Sequence, residues 1–222
     1  MRRISAGPAL LAIAVLIAGP LRAELIDGVV AIVGSEAITL SEVGEEIRLQ
    51  AMLNREEPEL ASDLGRDVLR MLVDRRLVQL DLALTPFLAA EVSDVEAALR
   101  QLREDTFLGG RSFAAALGHY GLTDGTVREY LRQRASFERY VAFRFKTGLR
   151  IDQDEIERRY WDEYVPARSE RGLAPEALES VSASLEDELA EEQANELLEV
   201  RLQELRLLHR IVVLGLPSGS GT

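Results

Sequence analysis

His119 and His209 are the two imidazoles of the chain, and it contains no cysteine. A thiolate nucleophile, a disulfide and a thiolate metal site are therefore impossible. His119 stands just before Gly121, and His209 stands where a leucine-rich run gives way to β-branched residues. Both are helix C-terminal positions, where the helix dipole favours a cationic ring, and a structural role is expected for each. There is no phosphate-binding glycine loop, no Gly-x-Ser-x-Gly elbow and no metal-ligand spacing. Glu191-Glu192 has the form of an acid–base pair. With 38 Asp and Glu against 26 Lys and Arg, adjacent carboxylates are expected on a solvated helix face instead. The expectation is a protein with no catalytic residues, no metal and no cofactor, and not an enzyme.

One stretch mixes charge with aromatic surface: "REYLRQRASFERYVAFRFKTGLR", Arg128 to Arg150. It carries Arg128, Arg132, Arg134, Arg139, Arg144, Lys146 and Arg150 among Tyr130, Phe137, Tyr140, Phe143 and Phe145. Interleaved cations and rings can bind nucleic acid. The formal charge of −12 argues against such a partner. The expected reading is an amphipathic helix whose arginine stems pack beside its rings. A contact surface for peptides, or for the acidic half of the last helix, is the alternative.

The first residues, "MRRISAGPALLAIAVLIAGPLRA", have a basic start, a short apolar run and small residues ending at Ala23. This is the anatomy of a secretory signal peptide, and the apolar run is short for a bilayer span. Export to the periplasm, with no stable membrane insertion after cleavage, is expected. Removing 1–23 takes away Arg2, Arg3 and Arg22 and no acid, so the processed chain is more acidic still.

Val29–Val33 is apolar on both alternating sets, which suggests burial on both faces. Gly34-Ser35 then reads as a hairpin turn before Ala37–Leu40. Ser41 is the expected cap of a first helix, and Ser62 or Asp63 opens a second that ends by Thr85-Pro86. "SDVE" at Ser93–Glu96 reads as a capping box for a helix to about Asp105. Ser112 and Thr123 cap further helices, to Gly121 and to about Lys146. "DQDE" at Asp152–Glu155 starts one to about Tyr164. Residues 165–184 read as a linker. A long helix is expected from about Leu185 to His209, acidic in its first half. In its second half it is apolar nearly all round and so must be enclosed. "RIVVLGL" reads as a strand and 217–222 as a frayed tail.

A two-stranded hairpin alone is marginal in water. The economical solution brings Ile211–Leu214 beside Val29–Val33. The expected fold is therefore mainly α with a small terminal β-sheet: an N-terminal hairpin paired with the C-terminal strand, and helices packed around the long last helix.

"LIDGVVAIVGSEAITLSEVGEEI", "VLRMLVDRRLVQLDLAL", "VSDVEAALRQL", "RIDQDEIERRYWDEY" and "LLEVRLQELRLLHRIVVL", in that order, resemble the SurA-type periplasmic chaperones. The resemblance implies a SurA N-terminal-like helical domain over 24–164, completed by a closing helix and strand over 185–216. Members of that family often carry a parvulin-type prolyl isomerase domain at the place of 165–184. That interval is far too short for one, so no isomerase activity is expected. The resemblance implies an ATP-independent holdase for unfolded, exported outer-membrane polypeptides. Phe87, Phe107, Phe113, Tyr120 and Trp161 are the candidate peptide-binding residues, because they fall near helix ends or loops; a plain core position is the alternative for each of them. A non-catalytic module docking on a fixed envelope partner is the alternative.

Overall fold

A computed structural model describes residues 27–58 and 62–216. The expected leader at 1–23 and tail at 217–222 lie outside the described residues. Three short strands, β1 (Val29–Val33), β2 (Glu36–Thr39) and β3 (Ile211–Val213), form one antiparallel sheet in the order β2-β1-β3. The two ends of the described chain meet as the apolar patterning requires. Ala31, Ile32 and Val33 lie opposite Val213, Val212 and Ile211. Gly34 turns the hairpin at φ 63°, where a Cβ would be strained. Its N–H donates to the Arg210 carbonyl (2.8 Å) and so ties the turn to the last strand. Val30, Ala31 and Val33 are buried, while Val29 at the start of β1 is exposed.

Helix α1 (Leu40–Asn54) is capped two residues earlier than expected. Thr39, not Ser41, is the last extended residue. Its hydroxyl accepts from the Glu42 N–H (3.2 Å), and the Glu42 carboxylate accepts from the Thr39 N–H (2.8 Å). Two otherwise unpartnered donors are satisfied reciprocally. The same correction applies to α3 (Val92–Glu104): the box is Glu91 with Asp94, not Ser93 with Glu96. In both cases a carboxylate reaches back to the cap N–H, so the position of the acid, not of the serine, sets where the helix starts.

Helix α2 is Ser62–Leu82, followed by a one-turn 3₁₀ helix at Pro86–Leu88. Helix α4 (Phe113–Tyr120) stops at Gly121, which adopts a left-handed φ of 63°. Helix α5 (Asp124–Val141) is capped by Thr123, whose hydroxyl accepts from the Thr126 N–H (3.0 Å). It runs on into a π-turn at Ala142–Lys146.

The expected linker at 165–184 is largely helical. Helix α6 (Gln153–Arg159) passes through a π-turn at Tyr160–Tyr164 into α7 (Val165–Glu170). Pro166 lacks an N–H and would clash with the carbonyl one turn back in a regular α-helix. The wider π-turn before it relieves that conflict and keeps the helix unbroken. Helix α8 then begins at Leu178, earlier than Leu185, and ends at Leu208. Leu178, Val181, Leu185 and Leu189 already follow helical spacing, and they pack on Ile156 and Tyr160.

Three apolar clusters hold these elements. One joins the sheet to α2, the end of α5 and the second half of α8, around Ile38, Leu77, Tyr140 and Leu205. A second joins α1, α3, α4 and α5 around Met52, Leu99, Tyr120 and Val127. The third lies under the first half of α8. Leu77 and Leu205 are almost wholly buried, and each such side chain stabilises the fold by roughly 1.5–3 kcal/mol. The second half of α8 is not enclosed, contrary to expectation. Leu197, Val200, Leu207 and Leu208 are exposed, because the core covers only the side carrying Ala194, Leu202 and Leu205.

Candidate functional site: an apolar cleft between α2, α5 and α8

Helix α5 is fastened at two places and stands away from α2 between them. Near its start, the Thr126 hydroxyl donates to Glu45 of α1 (2.6 Å). Near its end, the Tyr140 hydroxyl donates to Asp81 of α2 (2.6 Å). Tyr130 and Phe137 lie between these anchors, two helical turns apart on one face. Opposite them are Met71, Val78 and Leu82 of α2, and Leu198 and Leu202 of α8. The space enclosed is about 450 Å³, within the range of ligand-binding clefts. It opens to solvent past Phe137, which is 37% exposed. A smaller hollow of about 140 Å³ continues it toward Glu42, Glu45 and Glu46 of α1, past the shared Arg75, Gln79, Tyr130 and Gln133.

The charges at the cleft are held by one another. Both terminal guanidinium nitrogens of Arg75, Nη1 and Nη2, donate to Glu46 (2.7 and 2.9 Å), which also accepts from Gln50 (3.1 Å). Burial works against the Arg75 cation, but the Glu46 carboxylate outweighs it and raises the guanidinium pKa above its ordinary value. Arg134 donates to Glu138 (2.8 Å), and Arg206 donates to Asp74 (2.7 Å). A cleft with an apolar floor and internally neutralised walls suits an apolar or aromatic side chain and discriminates little by charge.

The end of the cleft is fixed by a buried polar knot. Asp81 accepts from Arg201 of α8 (3.0 and 2.6 Å) as well as from Tyr140. Burial pushes the Asp81 carboxyl upward. The hydrogen bonds from Arg201 and Tyr140, with the charges of Arg201 and Arg144, more than offset it and hold its pKa below the usual carboxylate range. Burial, together with the Asp81 carboxylate, pushes the Tyr140 phenol well above its ordinary value. All three groups are held by side chains from other elements, so the knot joins α2, α5 and α8.

None of the five candidate residues lines the cleft. Phe107, Phe113 and Tyr120 are at most 5% exposed and belong to the second core cluster. The Tyr120 hydroxyl donates to the Glu56 carbonyl (2.7 Å). Their rings fill the space beside α1 and offer no face to a peptide, so these three assignments are corrected. Phe87 is exposed and meets Phe143 edge-on at 5.3 Å. Trp161 is exposed beside Tyr160, over a shallow hollow with Asp154, Glu157, Arg158 and Asp162. The structure brings neither of these to the cleft.

The basic–aromatic stretch does contribute Tyr130 and Phe137, and its cations are largely paired. Arg128 meets Asp124 and Glu96, Arg132 meets Glu129, Arg139 meets Asp94, and Lys146 meets Glu191. The last of these reaches the acidic half of α8. Glu192 is engaged by Arg159, so Glu191 and Glu192 each serve a different cation. His119 Nε2 lies 3.1 Å from Glu57, and the His209 N–H donates to the Leu205 carbonyl (3.0 Å) beyond the last turn of α8. Met71, Val78, Leu198 and Leu202 were not marked by the sequence as site residues, since apolar helix positions read equally well as core. Among the described residues, no group of three or more His, Cys, Asp or Glu could hold a metal ion, and no helix is long and apolar enough to cross a membrane.

The helices and small closing sheet define a mainly α protein with an apolar inter-helix cleft. Comparison with known proteins finds no match for the chain: no family model, no curated protein and no solved structure matches it.

Proposed function

We propose that the protein is an ATP-independent holdase for unfolded, exported polypeptides, acting in the periplasm and without prolyl isomerase activity. The observation that carries this reading is the cleft between α2, α5 and α8. It presents Met71, Tyr130, Phe137 and Leu198 around about 450 Å³ of solvent-connected space, and its walls leave no unpaired charge to demand a particular sequence. Methionine adapts to side chains of differing shape, which suits tolerant binding. The acidic exterior, at a formal charge of −12, keeps a complex with an apolar client in solution.

The test is light scattering from an unfolded outer-membrane barrel protein diluted out of denaturant. Stoichiometric chain slows its aggregation, and Phe137→Asp, at a partly exposed cleft position, abolishes the effect while the circular dichroism spectrum is kept. Aggregation that proceeds unchanged in the presence of wild-type chain overturns the reading.

A second reading, a non-catalytic module docking on one fixed envelope partner, draws on the exposed Leu197, Val200 and Leu207 of α8. Pull-down from an envelope extract separates the two: one stoichiometric partner supports docking, and a broad set of unfolded chains supports the holdase.

A further inference from the structure

The two outer edges of the sheet are treated differently. On β2, Glu36 forms an ion pair with Arg76 (3.4 Å). A charge of this kind is a common guard against unwanted strand pairing. The edge of β3 carries no such guard within the strand: its residues are Ile211, Val212 and Val213.

The register decides which backbone groups of β3 are free. Gly34 N–H donates to the Arg210 carbonyl and Leu214 N–H donates to the Val30 carbonyl. With Ile32 opposite Val212, the alternation of an antiparallel ladder spends both backbone groups of Val212 on β1. The N–H and C=O of Ile211 and Val213 therefore point the other way. Among the described residues nothing bonds to them. Leu207 and Leu208 before the strand, and Val213 and Leu214 at its end, are all 60% exposed or more. Two donors and two acceptors at strand spacing, flanked by apolar side chains, match an extended backbone and no folded side-chain ligand.

We propose that the outer edge of β3 accepts an apolar, non-acidic segment of a client polypeptide as a fourth strand of the sheet. Main-chain hydrogen bonds make such binding tolerant of sequence. The formal charge of −12 selects against acidic segments and against a second copy of this chain. The proposal rests on the holdase reading only in taking a polypeptide as the ligand; the edge and the cleft are separate places.

The experiment is a titration of ¹⁵N-labelled chain with a blocked peptide, acetyl-Lys-Val-Thr-Val-Thr-Val-Lys-amide. The expected result is that the Ile211 and Val213 amides shift and become protected from solvent exchange, while the Val212 amide, already bonded to β1, keeps its protection. Val213→Pro removes one outward donor without touching the β1 pairing, and weakens binding roughly tenfold or more. The same peptide N-methylated on the residues that face β3 fails to bind the wild-type chain, which keeps the test independent of how the proline variant folds. Shifts confined to Tyr130 and Phe137 overturn the edge proposal and leave the holdase reading standing. Shifts confined to the edge support the edge proposal and move the client site away from the cleft, and shifts at neither place overturn the edge proposal, the holdase reading being decided by the aggregation test. Protection of the Ile211 and Val213 amides that rises with protein concentration in the absence of peptide assigns the edge to a second copy and overturns the proposal.

Discussion

The two halves of α8 carry the same stripe of apolar residues and meet opposite fates. Leu189, Val200 and Leu207 fall on nearly one line along the helix at about 100° per residue. Leu189 is 4% exposed, Val200 54% and Leu207 89%. The cover over the first half is α6, whose first turn reaches α8 at Gln193, where the amide donates to Glu155 (3.2 Å). Beyond that point the chain has turned away, and the stripe runs on uncovered. Meanwhile the buried side moves round: Ala194 lies about 140° from Leu189 and belongs to the cluster that joins the sheet, α2 and the end of α5. One helix therefore serves two cores on opposite sides. Apolar composition marks what can be buried; the lengths of neighbouring elements decide what is.

Ion pairs sharpen that comparison most. In the second half, Arg201 donates to Asp81, whose side chain is 5% exposed. In the first half, Arg159 meets Glu192, which is largely in water. Arg201→Met leaves a buried carboxylate short of its cation and costs about 3–5 kcal/mol. Arg159→Met costs under about 1 kcal/mol. Urea denaturation of the two variants measures the gap, and equal losses break the distinction between the halves.

Leucines follow. Leu205→Ala empties a site that is 1% exposed and lowers stability by about 2–5 kcal/mol. Leu207→Ala, two residues on, changes it by no more than about 0.5 kcal/mol. A Leu207 loss as large as that of Leu205 shows that the outer stripe is covered in solution.

The smallest effect is in acid. The folded Asp81 carboxyl titrates below its ordinary value. Its contribution is therefore complete above the unfolded pKa, near pH 4, and is lost as pH falls through the lower folded value. Thermal melts between pH 5 and 2 show wild-type stability falling more steeply than that of Asp81→Asn. Glu192 and Asp124, also held low by arginines, contribute equally to both proteins and cancel. Parallel curves break the assignment.

Much of this fold is legible in the residues. The hairpin of Val29–Val33 needs a further strand and Ile211–Val213 has no other strand to pair with, and the structure pairs them. The Thr123 cap and the Gly121 stop act locally, where side-chain chemistry alone decides the geometry. The misread caps at Ser41 and Ser93 show the limit of local rules: serine, threonine and glutamate all accept the same bond, and only the backbone torsions choose among them. The cleft was half legible. Tyr130 and Phe137 stand out as rings spaced two turns apart, whereas Phe107, Phe113 and Tyr120 lie near helix ends yet point inward, since position along a chain carries no direction.

The sequence by itself determined the helices, the closing strand and the charge, because periodicity, capping and composition act over a few residues. Only the tertiary structure decided that α5 stands off α2 to leave a cleft, that α6 stops short of Val200, and that β3 keeps an open edge. Each depends on where one element ends against another, and that distance is set by packing across the whole molecule.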